Sequence, residues 1–136
     1  VTDEYAGLTT IVVGSEAPRR RVAALRRCVR VIQAPASPIR KEASGIPLRW
    51  LLRRLGREGV TSLLVEGGGE VNASFLLSGL AQRVAFFYAP RILGGRTARK
   101  AVAGAGVTRL ADAVRLEDIE WRRLGPDLLM TARVAG

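Results

Sequence analysis

Histidine is absent from this chain, and cysteine occurs once, at Cys28. Without histidine there is no His-based triad, no His general base and no His metal ligand. A single cysteine cannot form an internal disulfide, and with no histidine beside it a zinc site has no ligand set; no metal is expected. No apolar run reaches the roughly 20 residues that a membrane-spanning helix requires. No secretory signal is visible, and a cytoplasmic location without membrane contact is expected. Aromatic residues make up 5% of the chain, and no recognised nucleic-acid motif accompanies them. Lysine is almost missing too. Lys41 and Lys100 are the only two among 22 basic residues, which leaves 20 arginines.

What is present is a chain of 136 residues, 48% apolar and 25% charged. That length suits one domain, residues 1–136, with a core that needs no covalent staples. The net charge is +10. An arginine-rich surface suits phosphate, because the guanidinium fork grips phosphate oxygens in pairs. It also suits nucleic acid, and a genome rich in G and C would yield the same bias with no function attached. All three readings are open at this point.

The apolar pattern alternates between two periods. "TTIVVG" (9–14) is β-branched and uninterrupted, as a strand covered on both faces should be. Pro18 suits the first turn of a helix running through "RRRVAALRRC". "VRVIQA" (29–34) reads as a second strand. After a loop containing Pro35, Pro38 and Gly45, with Ser44 or Gly45 as a cap, comes a helix entered through Pro47. Leu48, Leu51, Leu52 and Leu55 give it an apolar stripe at the helical period, and Arg49, Arg53, Arg54 and Arg57 take the outer face. Gly59 is placed to end it in a left-handed conformation. "TSLLV" (61–65) reads as a third, buried strand, 70–79 as a helix and "RVAFFYAP" (83–90) as a fourth strand. "TRLADA" (108–113) reads as a helical turn. "VRLEDIEWRRL" and "LLMTARV" flank "GPD" (125–127) and read as a terminal hairpin, with Pro126 at the second turn position. The order β-α-β-α-β-α-β plus a hairpin predicts an α/β fold: a mostly parallel sheet flanked by helices with a C-terminal antiparallel hairpin. Ligands of such folds lie at the carboxyl ends of strands.

"LLVEGGGEVNASF" (63–75) lies at such an end. Free N–H groups at a helix start, aided by the helix dipole, attract anions, and glycines let a phosphate approach the backbone. The spacing is not the G-x-G-x-x-G fingerprint, since Asn72 stands at its last glycine, and no G-K-[ST] of a P-loop follows. Glu66, at the end of a buried strand, is costly there unless paired or functional. Beside an anion site it would orient a substrate through hydroxyl or amino hydrogens; otherwise it caps N–H groups or pairs with an arginine. Gly94 and Gly95 allow both a plain turn and an approach to a cofactor. Gly14 and Ser15, at the end of the first strand, are open to the same two readings.

The stretch "LLVEGGGEVNASFLLSGLAQRVAFFYAPRILGG" resembles the reductase domain of the bacterial RibD riboflavin-biosynthesis family, which has a dihydrofolate-reductase-like fold. The matching landmarks are Val65–Glu66–Gly67–Gly68, Gly79–Leu80, Ala89–Pro90 and Leu93–Gly94–Gly95. "GIPLRWLLRRLGREGVTSLLVE" resembles the family's preceding helix and strand, and "RLADAVRLEDIEWRRLGPDLLMTARV" its closing hairpin. Gln82 departs from the acidic residue usual after "GL-x". The family's early "K-x-A-x-SLDG"-like and "GxxT" segments do not occur in the chain. The resemblance therefore implies the C-terminal part of a RibD-type reductase domain, with no deaminase half, whose H-x-E and P-C-x-x-C zinc set is lacking.

The resemblance implies an NADPH-dependent pyrimidine reductase. Its substrate would be 5-amino-6-(5-phosphoribosylamino)uracil, with hydride passing from the nicotinamide to the sugar C1. By position, Glu66 would contact the substrate. Gly67, Gly68, Gly69, Glu70, Val71, Asn72, Ala73, Ser74, Gly94 and Gly95 would line the NADPH site, mainly through backbone N–H groups. The family also implies a homodimer, for which the apolar strand "VAFFYAP" is the candidate contact. The alternatives are a reductase of the same fold acting on another substrate, since fold does not fix reaction, and a basic nucleic-acid-binding module.

Overall fold

The computed structural model describes residues 3–36 and 45–136. The chain divides into two compact units, Val1–Leu64 and Val65–Gly136.

The first unit opens with a short 3₁₀ turn, Ala6–Leu8, followed by β1, Thr10–Val13. Helix α1, Arg19–Leu25, connects β1 to β2, Arg30–Gln33. The two strands pair in parallel, from Thr10↔Arg30 to Val13↔Gln33, and the Ala34 N–H donating to the Val13 C=O (2.8 Å) extends the ladder. This is a β-α-β unit, the only short way to bring parallel neighbours together. Val22 of α1 and Val29, Ile32 and Ala34 around β2 are buried. Pro18 is the residue that caps α1 rather than the first within it.

Helix α2, Leu48–Arg57, follows the pattern of its leucines. Leu48 is buried and Leu51, Leu52 and Leu55 are half-buried, while Arg49, Arg53, Arg54 and Arg57 are exposed. Pro47 occupies the N-cap; the alternative cap Ser44 and the loop proline Pro38 lie outside the described residues. Gly59 ends the helix at φ 88°. Its N–H donates to the Gly56 C=O (3.1 Å) and the Val60 N–H to the Leu55 C=O (3.1 Å). These paired bonds satisfy carbonyls that a helix end leaves open, and they require a left-handed residue at Gly59. Glu58 then gathers two cations: Arg30 Nη2 at 2.5 Å and Arg54 Nε at 2.7 Å.

The strand expected over 61–65 is absent. The segment forms no ladder with any described strand, and Leu63 and Leu64 are 46% and 79% exposed. Apolar, β-favouring residues supply the propensity for a strand but not the neighbour whose N–H and C=O groups complete it.

The second unit contains α3, Gly69–Leu77, then β3, Arg83–Tyr88, a 3₁₀ turn at Leu110–Asp112, and the hairpin strands β4, Leu116–Leu124, and β5, Asp127–Val134. Gly79 (φ 63°) closes α3 as Gly59 closes α2, with the Leu80 N–H donating to the Phe75 C=O at 2.9 Å. The sheet order is β3-β5-β4, antiparallel throughout. The fourth expected strand therefore exists, but it pairs antiparallel with β5, and among the described residues parallel pairing is confined to β1 and β2. The chain is α/β, with a parallel two-stranded sheet, an antiparallel three-stranded sheet and helices.

The hairpin closes on the pair Leu124↔Asp127, so Gly125 and Pro126 are the central turn residues, one position earlier than the sequence suggests. Gly125 takes φ 61°, the conformation that primed hairpin turns demand of their first central residue. Met130 and Ala132 of β5 and Ala73 and Phe75 of α3 are the buried apolar residues of this unit. A bulge between Glu117 and Glu120 places Asp118 at φ 52°. Arg133 clamps it, with Nη2 at 2.5 Å from Glu117 Oε2 and Nε at 2.9 Å from Asp118 Oδ2.

Candidate functional site

The stretch from Glu66 to Ser74 turns an extended segment into α3. Gly68 is the N-cap, at φ 79° and ψ 175°. That combination is essentially restricted to glycine, so the turn itself requires Gly68. The first intrahelical bond is the Asn72 N–H donating to the Gly68 C=O (2.9 Å). The N–H groups of Gly69, Glu70 and Val71 have no acceptor among the described residues. Three orphan donors at the positive end of a helix form an anion-attracting terminus. A side-chain atom at Gly68 would meet nothing within 4 Å, so that flank is open.

The other two glycines serve their own chain. A Cβ on Gly67 would stand 2.7 Å from Val71 Cβ, and one on Gly69 would stand 2.4 Å from the Lys100 carbonyl oxygen and 2.9 Å from Ala103 Cβ. The space at Gly69 is filled by the loop that follows β3. Three hydrogen bonds secure this loop. The Ala103 N–H donates to the Gly69 C=O (3.0 Å), Asn72 Nδ2 to the Ala101 C=O (2.9 Å) and the Gly104 N–H to Glu70 Oε1 (3.2 Å).

The expected site residues thus fall into groups. Gly68, with the N–H groups of Gly69, Glu70 and Val71, forms the open helix start. The side chains of Glu70 and Asn72 turn to the 101–104 loop. Ala73 is buried, 3.4 Å from where a Cβ on Gly104 would lie, and the Ser74 hydroxyl donates back to the Glu70 C=O at 2.9 Å. Glu66 is exposed and has no hydrogen-bond or ion-pair partner among the described residues. With no buried strand before it, its carboxylate bears no burial cost, and its position needs neither a cap nor an arginine. Gly94 (φ 61°) and Gly95 (φ 91°) lie in an exposed turn beside Ile92 and Leu93, which are 99% and 95% exposed. No hydrogen bond among the described residues joins either glycine to α3. Ser15, in the first unit, accepts from Gln33 Nε2 through its carbonyl (3.1 Å).

Lys100, Ala101, Ala103 and Gly104 are the residues that pattern reading misses. The available signal was compositional: "AVAGAG" (101–106) is a run of small residues, suited to close backbone approach, with Gly104 and Gly106 at φ 75° and 63°.

The chain is thus α/β, with a glycine-capped helix start whose free N–H groups are of the kind that attracts anions. The chain belongs to the RibD C-terminal domain family, whose model matches residues 1–130. It is 40% identical over 128 residues to the 2,5-diamino-6-ribosylamino-4(3H)-pyrimidinone 5′-phosphate reductase of Methanothermobacter thermautotrophicus, covering 94% of this chain and 56% of that protein. It is 36% identical over 85 residues to the riboflavin biosynthesis protein RibD of Actinobacillus pleuropneumoniae, covering 62% of this chain and 23% of that one. Among solved structures, Acinetobacter baumannii RibD matches with a TM-score of 0.71 at 21% identity, covering 97% of this chain and 32% of that chain. The Saccharomyces cerevisiae riboflavin biosynthesis reductase Rib7 matches with a TM-score of 0.58 at 21% identity, covering 93% and 69%. At that identity the structures establish the shared fold. The chain spans about half the length of the archaeal reductases it matches.

Proposed function

We propose that this chain is the C-terminal part of an NADPH-dependent reductase domain of riboflavin biosynthesis. The observation that carries the reading is the set of unpaired N–H groups at Gly69, Glu70 and Val71, beside the open flank of Gly68. Three donors without acceptors, with the helix dipole behind them, fit a phosphate of the dinucleotide. When bound, NADPH supplies the hydride that reduces C1 of the substrate's ribosyl group, while a proton goes to the ring oxygen that leaves C1. Glu66, exposed and without a partner among the described residues, accepts hydrogen bonds from the amino or ring N–H groups of the pyrimidine and orients it. The arginine-rich surface favours the approach of both phosphorylated ligands.

The substrate on this reading is 5-amino-6-(5-phosphoribosylamino)uracil. A second substrate has specific support: the relative that aligns over 94% of this chain is named for the 2,5-diaminopyrimidinone, whereas the RibD of Actinobacillus pleuropneumoniae aligns over 62%. Steady-state reduction of both compounds, followed by loss of NADPH absorbance, tests the reading and chooses between them. Failure of the full-length protein to oxidise NADPH with either compound refutes it.

A homodimer and a cytoplasmic location accompany the proposal. No described helix is long and apolar enough to cross a membrane. β3 is an edge strand whose Phe87 and Tyr88 are 68% and 48% exposed, a surface suited to a second copy. Sedimentation equilibrium of wild type against Phe87→Glu checks that contact.

A further inference from the structure

The loop after β3 is tied to the start of α3 across 29 to 34 residues of chain, and two of its three ties are made by side chains the helix itself does not require. A glutamate in a first helical turn commonly complements the dipole or reaches back to cap N–H groups. Glu70 does not reach back: no side chain caps α3, and its carboxylate accepts from the Gly104 N–H at 3.2 Å. Asn72 spends its side-chain N–H on the Ala101 C=O at 2.9 Å. Between them the Lys100 carbonyl fills the place of a missing side chain at Gly69. The loop is therefore held beside the helix start, while the N–H groups of Gly69, Glu70 and Val71 remain without acceptors.

We propose that Glu70 and Asn72 are positioning residues. They latch Ala101–Gly104 against the first turn of α3, so that the loop forms a fixed wall of the phosphate site, and they act on dinucleotide binding through that loop rather than by touching the ligand. The inference rests on the reductase reading above. Small residues and the left-handed Gly104 and Gly106 give the loop little stiffness of its own. Releasing it lowers the fraction of molecules whose site is ready, and the apparent Kd rises by the inverse of that fraction. Saturating ligand restores the ordered state, so kcat is nearly unchanged.

The test uses the full-length protein as wild type, Glu70→Ala, Glu70→Gln, Asn72→Ala and Glu70→Ala/Asn72→Ala, each shown by circular dichroism to be folded. Amide exchange at Ala103 and Gly104 reports the latch, fluorescence titration gives the NADPH Kd, and turnover at saturation gives kcat. Glu70→Ala is expected to lose Gly104 protection and to bind NADPH about tenfold more weakly, the scale of one hydrogen bond to a charged group, with kcat within about twofold. Glu70→Gln keeps an acceptor oxygen and should retain Gly104 protection and bind NADPH more tightly than Glu70→Ala. The double variant should be little worse than the more severe single one, because the loop is released only once. Unchanged exchange in Glu70→Ala overturns the latch. Lost protection with an unchanged Kd overturns the positioning role, as does a Glu70→Gln variant that behaves like Glu70→Ala. A wild type that takes up no NADPH overturns the reductase reading and the positioning role with it, while amide exchange at Gly104 separately decides whether the latch exists.

Discussion

Replacing Gly69 with alanine tests the packing at the helix start most directly. The new methyl would lie 2.4 Å from the Lys100 carbonyl oxygen, 2.9 Å from Ala103 Cβ and 3.2 Å from the Ala103 nitrogen. Two of these obstacles are backbone atoms, so no change of rotamer relieves them. Either the loop withdraws or the helix start shifts. Withdrawal forfeits up to three hydrogen bonds, each worth about 1 kcal/mol net. Against this, alanine in place of glycine favours the helix by about 1 kcal/mol. The expected net loss is about 2 kcal/mol, read as a fall in the urea midpoint of roughly 1 M at an m-value of about 2 kcal/mol/M. Amide exchange at Gly104 should accelerate in parallel. A Gly69→Ala protein as stable as wild type, or more so, would show that helix propensity alone acts and that the loop does not fill this space. Gly68→Ala is the comparison. Its methyl meets nothing within 4 Å, but φ 79° and ψ 175° strain it by about 1–3 kcal/mol. It should destabilise the protein while leaving the loop's protection relative to global stability unchanged.

Glu66→Gln should lower kcat/KM for the pyrimidine by about 10- to 100-fold, the scale of a lost charge-assisted hydrogen bond, with NADPH affinity unchanged; full activity in steady-state assays would remove Glu66 from the site. The Glu58 carboxyl is held below its ordinary range chiefly by the hydrogen bond from Arg30, helped by Arg54. A depressed carboxylate stabilises the fold above its unfolded pKa and loses that contribution as pH falls through the folded one. The gap in urea midpoint between wild type and Glu58→Gln should therefore be full at pH 7 and close below about pH 4.3; a gap that ignores pH would contradict the ion pair's role. Gly125→Ala forces an alanine to φ 61° at a cost of about 1–2 kcal/mol, seen as a lower Tm; an unchanged Tm would mean that the turn adopts another geometry.

The features legible in the sequence are those written over a few neighbouring residues. The Leu48–Leu55 stripe, the closing Gly59 and the hairpin around Gly125 each depend on spacing within one or two turns of chain. The strand expected over 61–65 fails because a strand is a relation between segments, and its composition says nothing about a partner. β3 was legible as a strand for its apolar residues, but its antiparallel pairing with β5 was not, since the strands are separated by about 40 residues. The glycine turn into α3 was legible as an anion-friendly terminus. The division of labour within it was not: that Gly69 makes room for Lys100, and that Glu70 and Asn72 face a loop, depends on contacts about 30 residues away, and only the run of small residues hinted at it.

The bulge in β4 gives the two borders of the antiparallel sheet different fates. Along β4, the extra residue and the left-handed Asp118 break the regular row of N–H and C=O groups, and Arg133 fixes the break in place. A border interrupted in this way offers a poor template to an incoming strand. The β3 border has no such interruption: its six residues, Arg83–Tyr88, pair with β5 in unbroken register. Within this sheet the regular row of backbone groups therefore runs along β3, while β4 carries the built-in break.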